Sequence, residues 1–518
     1  MRLIDYLDAG AQRAPDRPAL VDADGGGGVS YAEAATLSRQ IASAMAATGL
    51  SDNAPVAVYS PNDLRAFMAV FGIFRAGAAW VPLNARNVVE ENGHLLDRTG
   101  CEWLFYHSSF ANKIAGLLKH APGIHHAVCL DRVEGEHASL DELATRGASE
   151  FSDRPDDPDR LAIVFSSSGT TGKPKGCAWT NRTCETYGRT QWQYMPTKTP
   201  PVHLVAAPMT HAAGAVAWPL MQAAGTQVIL ARPDPLAILQ AIERHRVTHL
   251  FLPPTVIYML LAHPRVREFD YASLEYFIYA AAPMSVDKLK EALEIFGPVM
   301  MQVYGQAEVP MYMAILPPAD HLAIGDPTRE KRLWSCGRPT TAVELRLVDE
   351  DAKPVTAGET GEVAVRGDLV MVGYVNDPDA TETASRDGWH LTGDIGYQDE
   401  DGYLYLVDRK KDMIISGGFN IYSTEVEKAV LGHPAVQDCA VVGVPDEKWG
   451  EAVKAVVELK PHQHANPEDI IALCKERIGS VKAPKSVEFW DELPRSNTGK
   501  VLKRKIRDRF WQGRARTI

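Results

Sequence analysis

Residues Ser166–Gly176 read SSSGTTGKPKG and follow directly on the apolar run LAIVF (Leu161–Phe165). Hydroxyl and glycine residues in series turn tightly, with backbone N–H groups and side-chain hydroxyls pointing inward. Lys173 and Lys175 add positive charge, so the loop suits a polyphosphate. It is not a Walker A loop, because Gly169 and Gly172 are separated by two residues and not four. It is not a GxSxG nucleophile elbow either, and the chain contains none. A second segment, YGQAE (Tyr304–Glu308), closes the strand-like run VMMQVY (Val299–Tyr304), at the end where α/β proteins place ligand residues. Glu308 offers the hard oxygen that a metal bridging phosphates takes. LTGD (Leu391–Asp394) offers a carboxylate, a group that can accept hydrogen bonds from two vicinal hydroxyls at once. AAAP (Ala280–Pro283) follows another strand-like run, and its small side chains leave room for a flat base or a bulky acyl group.

These segments sit at the ends of regularly spaced elements. PVAVYS (Pro55–Ser60) reads as a strand and Asp63 to Ala76 as a helix. A second series is strand-like at HLVAAP (His203–Pro208), QVIL (Gln227–Leu230), HLFL (His249–Leu252), LEYFIYA (Leu274–Ala280) and VMMQVY, with helical patterns at Pro235–His245 and Ser285–Phe296. Alternating strand and helix predicts a parallel sheet covered on both faces, and the two series predict two similar α/β subdomains. After about Gly337, AVELRLVD (Ala342–Asp349), GEVAVRG (Gly361–Gly367) and YLYLVD (Tyr403–Asp408) predict a small antiparallel β unit. The charged break DRKKD (Asp408–Asp412) precedes a last stretch long enough for a separate α+β domain. Its helices are expected at Thr424–Leu431 and Pro467–Ile478, and its strands at Val436–Val442 and Ala452–Leu459. The reading is an α/β fold, with residues 1–408 as a large N-terminal domain and 409–518 as a small mobile C-terminal domain.

Composition excludes several classes. At 518 residues the chain exceeds one ordinary core. With 54 Lys+Arg against 66 Asp+Glu it lacks the basic balance of a dedicated nucleic-acid binder. Seven scattered cysteines, none in a CxxC pair, fit a reducing compartment and neither a disulfide framework nor a zinc ribbon. Asp5 and Asp8 stand where a signal peptide needs an apolar core. The longest apolar stretch, Ala66 to Leu83, is broken by Arg75, and the last residues carry no lipidation or peroxisomal signal. The expectation is a cytoplasmic protein with no integral membrane segment.

Taken together and in this order, the motifs resemble the adenylate-forming superfamily of acyl- and aryl-CoA synthetases, carrier-loading adenylation domains and luciferases, over nearly the whole chain. The resemblance implies activation of a carboxylate by ATP with Mg2+ to an acyl-adenylate and, in CoA ligases, transfer of the acyl group to the CoA thiol. It implies ATP/AMP contacts at Ser167, Ser168, Gly169, Thr170, Thr171, Gly172, Lys175, Ala281, Ala282, Pro283, Tyr304, Gly305, Gln306 and Ala307, with the ribose on Asp394 and Arg409. Thr171 and Glu308 would hold the metal. The family's usual Thr before the Glu is replaced by Ala307, which removes one charge-assisted hydrogen bond of roughly 1.5–3 kcal/mol. His211, in PMTHAAGA (Pro208–Ala215), matches a histidine beside the substrate carboxylate, a positioning residue and not a general base. Lys500, in PRSNTGKVLKRKIR (Pro494–Arg507), matches a lysine that stabilises charge at the α-phosphate during adenylation. Lys411 falls at the hinge about which the small domain turns, and Gly417–Gly418 would let the pantetheine arm of CoA pass close to the backbone. Trp449, in PDEKWGEAV (Pro445–Val453), resembles a tryptophan placed against the CoA nucleotide in some aryl-CoA ligases.

The acyl pocket implied by the resemblance comprises His211, Ala212, Gly214, Tyr258, Ala280, Gly305 and Met311. It is apolar, rich in small residues and lacks a basic partner for a second charge. The sequence thus reads as an acid–CoA ligase for a hydrophobic monocarboxylate, aryl or medium-to-long acyl. Two alternatives stand beside it: a relative with another acceptor or activation chemistry (an amide synthetase, carrier-protein loading, a diazotase), and a non-catalytic ATP-binding regulator. Retention of Glu308, Asp394, Arg409 and Lys500 argues against the second. Oligomeric state is not legible.

Overall fold

Apolar strand-formers and amphipathic stretches alternate through the first 340 residues, and the computed structural model, which describes residues 1–167, 174–323, 325–495 and 501–512, folds the chain into two units. One comprises Met1–Leu345 with Val365–His390, the other Arg346–Ala364 with Leu391–Ile518.

Among the described residues, the first unit contains two mixed sheets. The nine-stranded sheet has, from one edge, Arg338–Pro339, Ala314–Leu316, Met300–Tyr304, Tyr276–Tyr279, His249–Leu252, Val202–Val205, Thr226–Ile229, Pro18–Asp22 and Gly28–Ser30. From Met300–Tyr304 to Pro18–Asp22 its strands run parallel, and the outer strands are antiparallel. The seven-stranded sheet runs Gly373–Tyr374, Lys175–Thr180, Leu161–Ser167, Ala79–Pro82, Pro55–Tyr59, Trp103–Tyr106, His126–Cys129. The two series expected from the sequence are therefore two sheets, with one exchange. The N-terminal strand Pro18–Asp22 belongs to the later series, with Leu20 opposite Gln227.

Local chemistry sets the helices. Pro235–His245 begins with Asp234, whose carboxylate accepts from the Ala237 N–H at 2.9 Å, has proline in its first position and ends on Arg244 and His245. The helix Leu64–Arg75 is buried from Ala66 onward. Its Phe67, Phe71 and Phe74 pack on Trp218 with ring centroids 5.3–5.6 Å apart, and Trp80 of the following strand meets Trp218 at 5.9 Å. This apolar stretch is thus core. No helix among the described residues is long and apolar enough to cross a membrane. Arg75, fully buried, is neutralised by Asp8 and Asp153.

Leu404–Arg409 pairs antiparallel with Trp389–Gln398, which neighbours Gly361–Arg366 and then Glu344–Val348. A further sheet is ordered Phe419–Ile421, Ile414–Ser416, Gly450–Leu459, Val436–Asp446, with Ser486–Phe489 parallel to Gly450–Leu459. One face of it buries Val441, Val453, Ala455 and Val457 against Val426, Val430 and Ile470 of the helices Ser423–Leu431 and Pro467–Lys482. The other face packs Ala440, Val442 and Val456 on Ile506 of the C-terminal helix Lys503–Phe510. The expected domain boundary at 408/409 lies within the second unit.

Candidate active site

The strand Leu161–Ser167 and the strand Lys175–Thr180 form an antiparallel hairpin in which Ser167 faces Lys175. This register brings the two ends of the phosphate loop together. Ser168, Gly169, Thr170, Thr171, Gly172 and Lys173 lie outside the described residues, as does Lys500. Ser167 is buried, with the Cys177 thiol as its side-chain neighbour.

Three segments meet beside this hairpin. Phe165 stacks on Trp179 across the hairpin (5.0 Å between centroids, 2° between planes) and meets the His211 ring edge-on at 5.8 Å. Trp179 Nε1–H donates to the Ala307 carbonyl at 2.7 Å. One aromatic ladder therefore ties the strand before the loop to YGQAE and to His211. The Thr210 hydroxyl lies 3.0 Å from His211 Nδ1. Desolvation, with a smaller contribution from Arg86, lowers the His211 pKa to about 4 and keeps the imidazole neutral near pH 7. The loop bearing His211 is pinned from the other sheet: the Asn62 amide donates to the Val205, Ala207 and Leu230 carbonyls at 3.0–3.2 Å and accepts from the Met209 N–H at 2.7 Å.

Glu308 is buried at 9% exposure, and its carboxylate accepts from the Tyr374 hydroxyl at 2.7 Å. Lys175 rests over the Tyr374 ring at 4.9 Å. A buried carboxylate, an ammonium and a buried hydroxyl fit ATP with Mg2+, which Glu308 would hold. Close backbone packing shapes the rest of this corner. A Cβ on Gly305 would lie 2.3 Å from Met311 N, and Met311 has φ 51°. Ala281, in the small-residue segment, has φ 73°. Such backbone costs of order 1–3 kcal/mol at a non-glycine residue and concentrates at ligand sites. Gln306 and Val309 close a tight turn. Tyr304 is buried, while Ala281 and Pro283 are exposed and Ala282 half-buried.

The acyl-pocket residues are placed unevenly. Gly214 is buried in the helix Ala212–Leu220, where a Cβ would lie 1.8 Å from Met209 O. Met311 meets the Tyr187 hydroxyl through its sulfur at 3.4 Å. Tyr258 is half-buried, and its hydroxyl accepts from the Ser285 N–H at 2.7 Å. Ala280, half-buried, follows the strand Tyr276–Tyr279.

In the second unit, Asp394 and Arg409 face each other across paired strands, 2.5 Å apart. Gly417 has φ 58°, donates its N–H to the Trp449 carbonyl at 2.9 Å, and has no room for a Cβ, which would lie 2.5 Å from the Trp449 ring. Gly418 (φ 81°) and Trp449 are exposed. Lys411 is exposed and its carbonyl accepts from Arg507 at 2.9 Å. Phe165, Trp179, Asn62 and Tyr374 escape the sequence reading. Only the aromatic content of LAIVF and GCAWT beside the loop hints at the first two.

The AMP-binding enzyme family matches residues 7–375, and the AMP-binding enzyme C-terminal domain matches 425–500. The feruloyl-CoA synthase of an Amycolatopsis species is 36% identical over 94% of this chain and 95% of its own length. A medium/long-chain-fatty-acid–CoA ligase of Mycobacterium tuberculosis, FadD8, is 43% identical over 70% of this chain and 63% of its own length. Among solved structures, the amide bond synthetase McbA of Marinactinospora thermotolerans superposes with TM-score 0.87 at 30% identity, over 98% of this chain and all of its own. With its phosphate-loop hairpin, buried Glu308 and both matched domains in place, the chain belongs to the AMP-binding enzyme family.

Proposed function

We propose that the protein is an AMP-forming acid–CoA ligase that activates a hydrophobic monocarboxylate, aryl or medium-to-long acyl, with ATP and then forms the CoA thioester. The observation that carries this reading is the buried Glu308 carboxylate bonded to the Tyr374 hydroxyl, with Lys175 over the same tyrosine ring. The named activities of its relatives, feruloyl-CoA synthase and fatty-acid–CoA ligase, support it.

In the first half-reaction the loop residues Ser167–Gly172 and Lys175 bind the phosphates, Tyr304 and Ala281–Pro283 line the base, and Asp394 and Arg409 hold the ribose. Mg2+, when bound on Glu308 and Thr171, neutralises phosphate charge. Neutral His211 orients the substrate carboxylate without taking a proton, and Lys500 supplies a mobile positive charge at the α-phosphate. Carboxylate oxygen displaces pyrophosphate in line. For the second half-reaction the domain boundary at 408/409 and the hinge at Lys411 would withdraw Lys500 and bring Gly417, Gly418 and Trp449 to CoA, whose thiol displaces AMP. Seven buried free cysteines support a reducing compartment, and we place the protein in the cytoplasm.

A second reading, amide formation from the same adenylate, is favoured by the likeness to the amide bond synthetase. Pyrophosphate release across a panel of aryl and acyl acids, with and without CoA or an amine, separates them. Thioester product with CoA is expected. Amide product alone would replace the ligase reading, and no pyrophosphate release with any acid would end both.

A further inference from the structure

The short strand Gly373–Tyr374 stands far in sequence from both groups it touches. It pairs antiparallel with the phosphate-loop hairpin, Tyr374 opposite Cys177 and Gly373 opposite Ala178. Flanking backbone bonds extend the pairing: Val372 N–H donates to Ala178 O at 3.1 Å and Val375 N–H to Gly176 O at 2.8 Å. On its other side, Met371 N–H donates to the Glu308 carbonyl at 2.8 Å. Residues 371–375 are thus zipped between the hairpin and Glu308, and Tyr374 is the side chain that reaches both. Its hydroxyl donates to Glu308 Oε1 at 2.7 Å, and its ring lies 4.9 Å beneath the Lys175 ammonium.

We propose that Tyr374 is a positioning residue that holds the metal-bearing carboxylate of Glu308 with its hydroxyl and the phosphate-loop ammonium of Lys175 with its ring. The proposal rests on the reading of Glu308 as the Mg2+ ligand. An ionised carboxylate is acceptor-only, so a hydroxyl donor on one oxygen restrains how it turns. A phenol carries its proton near pH 7, so Tyr374 is the donor and the carboxylate the acceptor. The ring face attracts Lys175 without neutralising it, leaving the ammonium available to phosphate. The two functions reside on different atoms of one side chain and are separable by substitution.

The test is calorimetric titration of the purified full-length protein with ATP plus Mg2+ and with ATP in excess chelator, for wild type, Y374F, Y374L and E308Q, with thermal unfolding of each. Y374F retains the ring and loses the hydroxyl. A hydrogen bond to a charged group corresponds to roughly a ten- to hundredfold change in affinity, so Y374F should weaken Mg-ATP binding about tenfold and leave metal-free ATP binding within about twofold. Y374L should weaken both. Unchanged Mg-ATP affinity in Y374F, or an equal fall with and without metal, would overturn the proposal. E308Q separates this from failure of the underlying reading: if E308Q binds Mg-ATP like the wild type, Glu308 is not the metal ligand. If E308Q loses the metal dependence and Y374F keeps it, the role of Tyr374 alone is refuted.

Discussion

Glu308 and the segment Asp408–Asp412 both place charge in partly or fully buried surroundings, and they are held in opposite ways. The carboxylate of Glu308 meets a neutral phenol, and its backbone is stitched to a strand. Around Asp408–Asp412 the contacts are ionic. Arg409 pairs with Asp394 at 2.5 Å, Lys410 with Glu362 at 2.8 Å, and Arg507 approaches Asp412 at 3.7 Å. Lys503 reaches Glu427 at 2.8 Å and the Ser423 hydroxyl at 2.7 Å, which in turn donates to Asp408 at 2.7 Å. A neutral donor fixed in a sheet serves one geometry. Ion pairs exchange partners, and those with exposed members weaken with salt. The first arrangement suits a preorganised site, the second a segment whose contacts break and re-form.

The sharpest way to break this contrast is at Lys500. Lys500→Ala should lower acyl-adenylate formation about a hundred- to thousandfold, the scale on which losing one charge-stabilising group at a transition state acts, while sparing thioester formation from preformed adenylate. Equal loss in both half-reactions, measured by pyrophosphate release and by thioester yield, would assign it elsewhere. Next is Lys503→Met, which leaves Glu427 and Asp408 buried without their cation. Breaking a buried pair costs about 3–5 kcal/mol, so denaturant unfolding should show the loss confined to the second unit.

Proton linkage sharpens the comparison further. In the first unit His203, His249 and His321 are fully buried, and desolvation lowers their pKa values to about 4, 3 and 4. Their folded values lie below the unfolded 6.5, so the stability they support is complete above pH 6.5 and is lost as pH falls towards 4. Each should cost about 2 kcal/mol at pH 5 relative to pH 7, at about 1.4 kcal/mol per pH interval. In the second unit burial raises Glu427 to about 7, with Lys503 opposing. Its folded value exceeds the unfolded 4.5, so its contribution is complete below pH 4.5 and is lost as pH rises through 7. Unfolding followed from pH 7 to pH 5 should therefore destabilise the first unit while the Glu427 contribution runs the other way in the second. A common slope for both transitions would contradict this. The smallest effect is expected from Ala307→Thr, because Ala307 meets Trp179 through its backbone carbonyl. The variant should stay active in pyrophosphate release, and complete loss would show that the corner cannot accept the hydroxyl.

Periodicity carried most of the fold. The helix Pro235–His245 has its expected bounds, and every strand expected in the second series forms, because proline, the Asp234 cap and β-branched runs are local signals. The strands Pro18–Asp22 and Gly28–Ser30 were not legible. They are short, flank a glycine run, and earn their pairing only through Thr226–Ile229. The site divides likewise. Glu308, His211 and Asp394 stand in motifs whose residue types imply chemistry. Tyr374 and Asn62 act across 66 and more than 140 residues of chain, where no spacing rule reaches.

The exchange of the first strand sets an order on biosynthesis. Pro18–Asp22 leaves the ribosome early, but its parallel partner Thr226–Ile229 follows only after six strands of the seven-stranded sheet, up to Thr180, have emerged. Until then Ala19 and Leu20, both fully buried at the end, wait on an open edge. Chains truncated before Thr226 should therefore expose an adhesive strand, making the nascent polypeptide a natural client for chaperones that shield unpaired β edges.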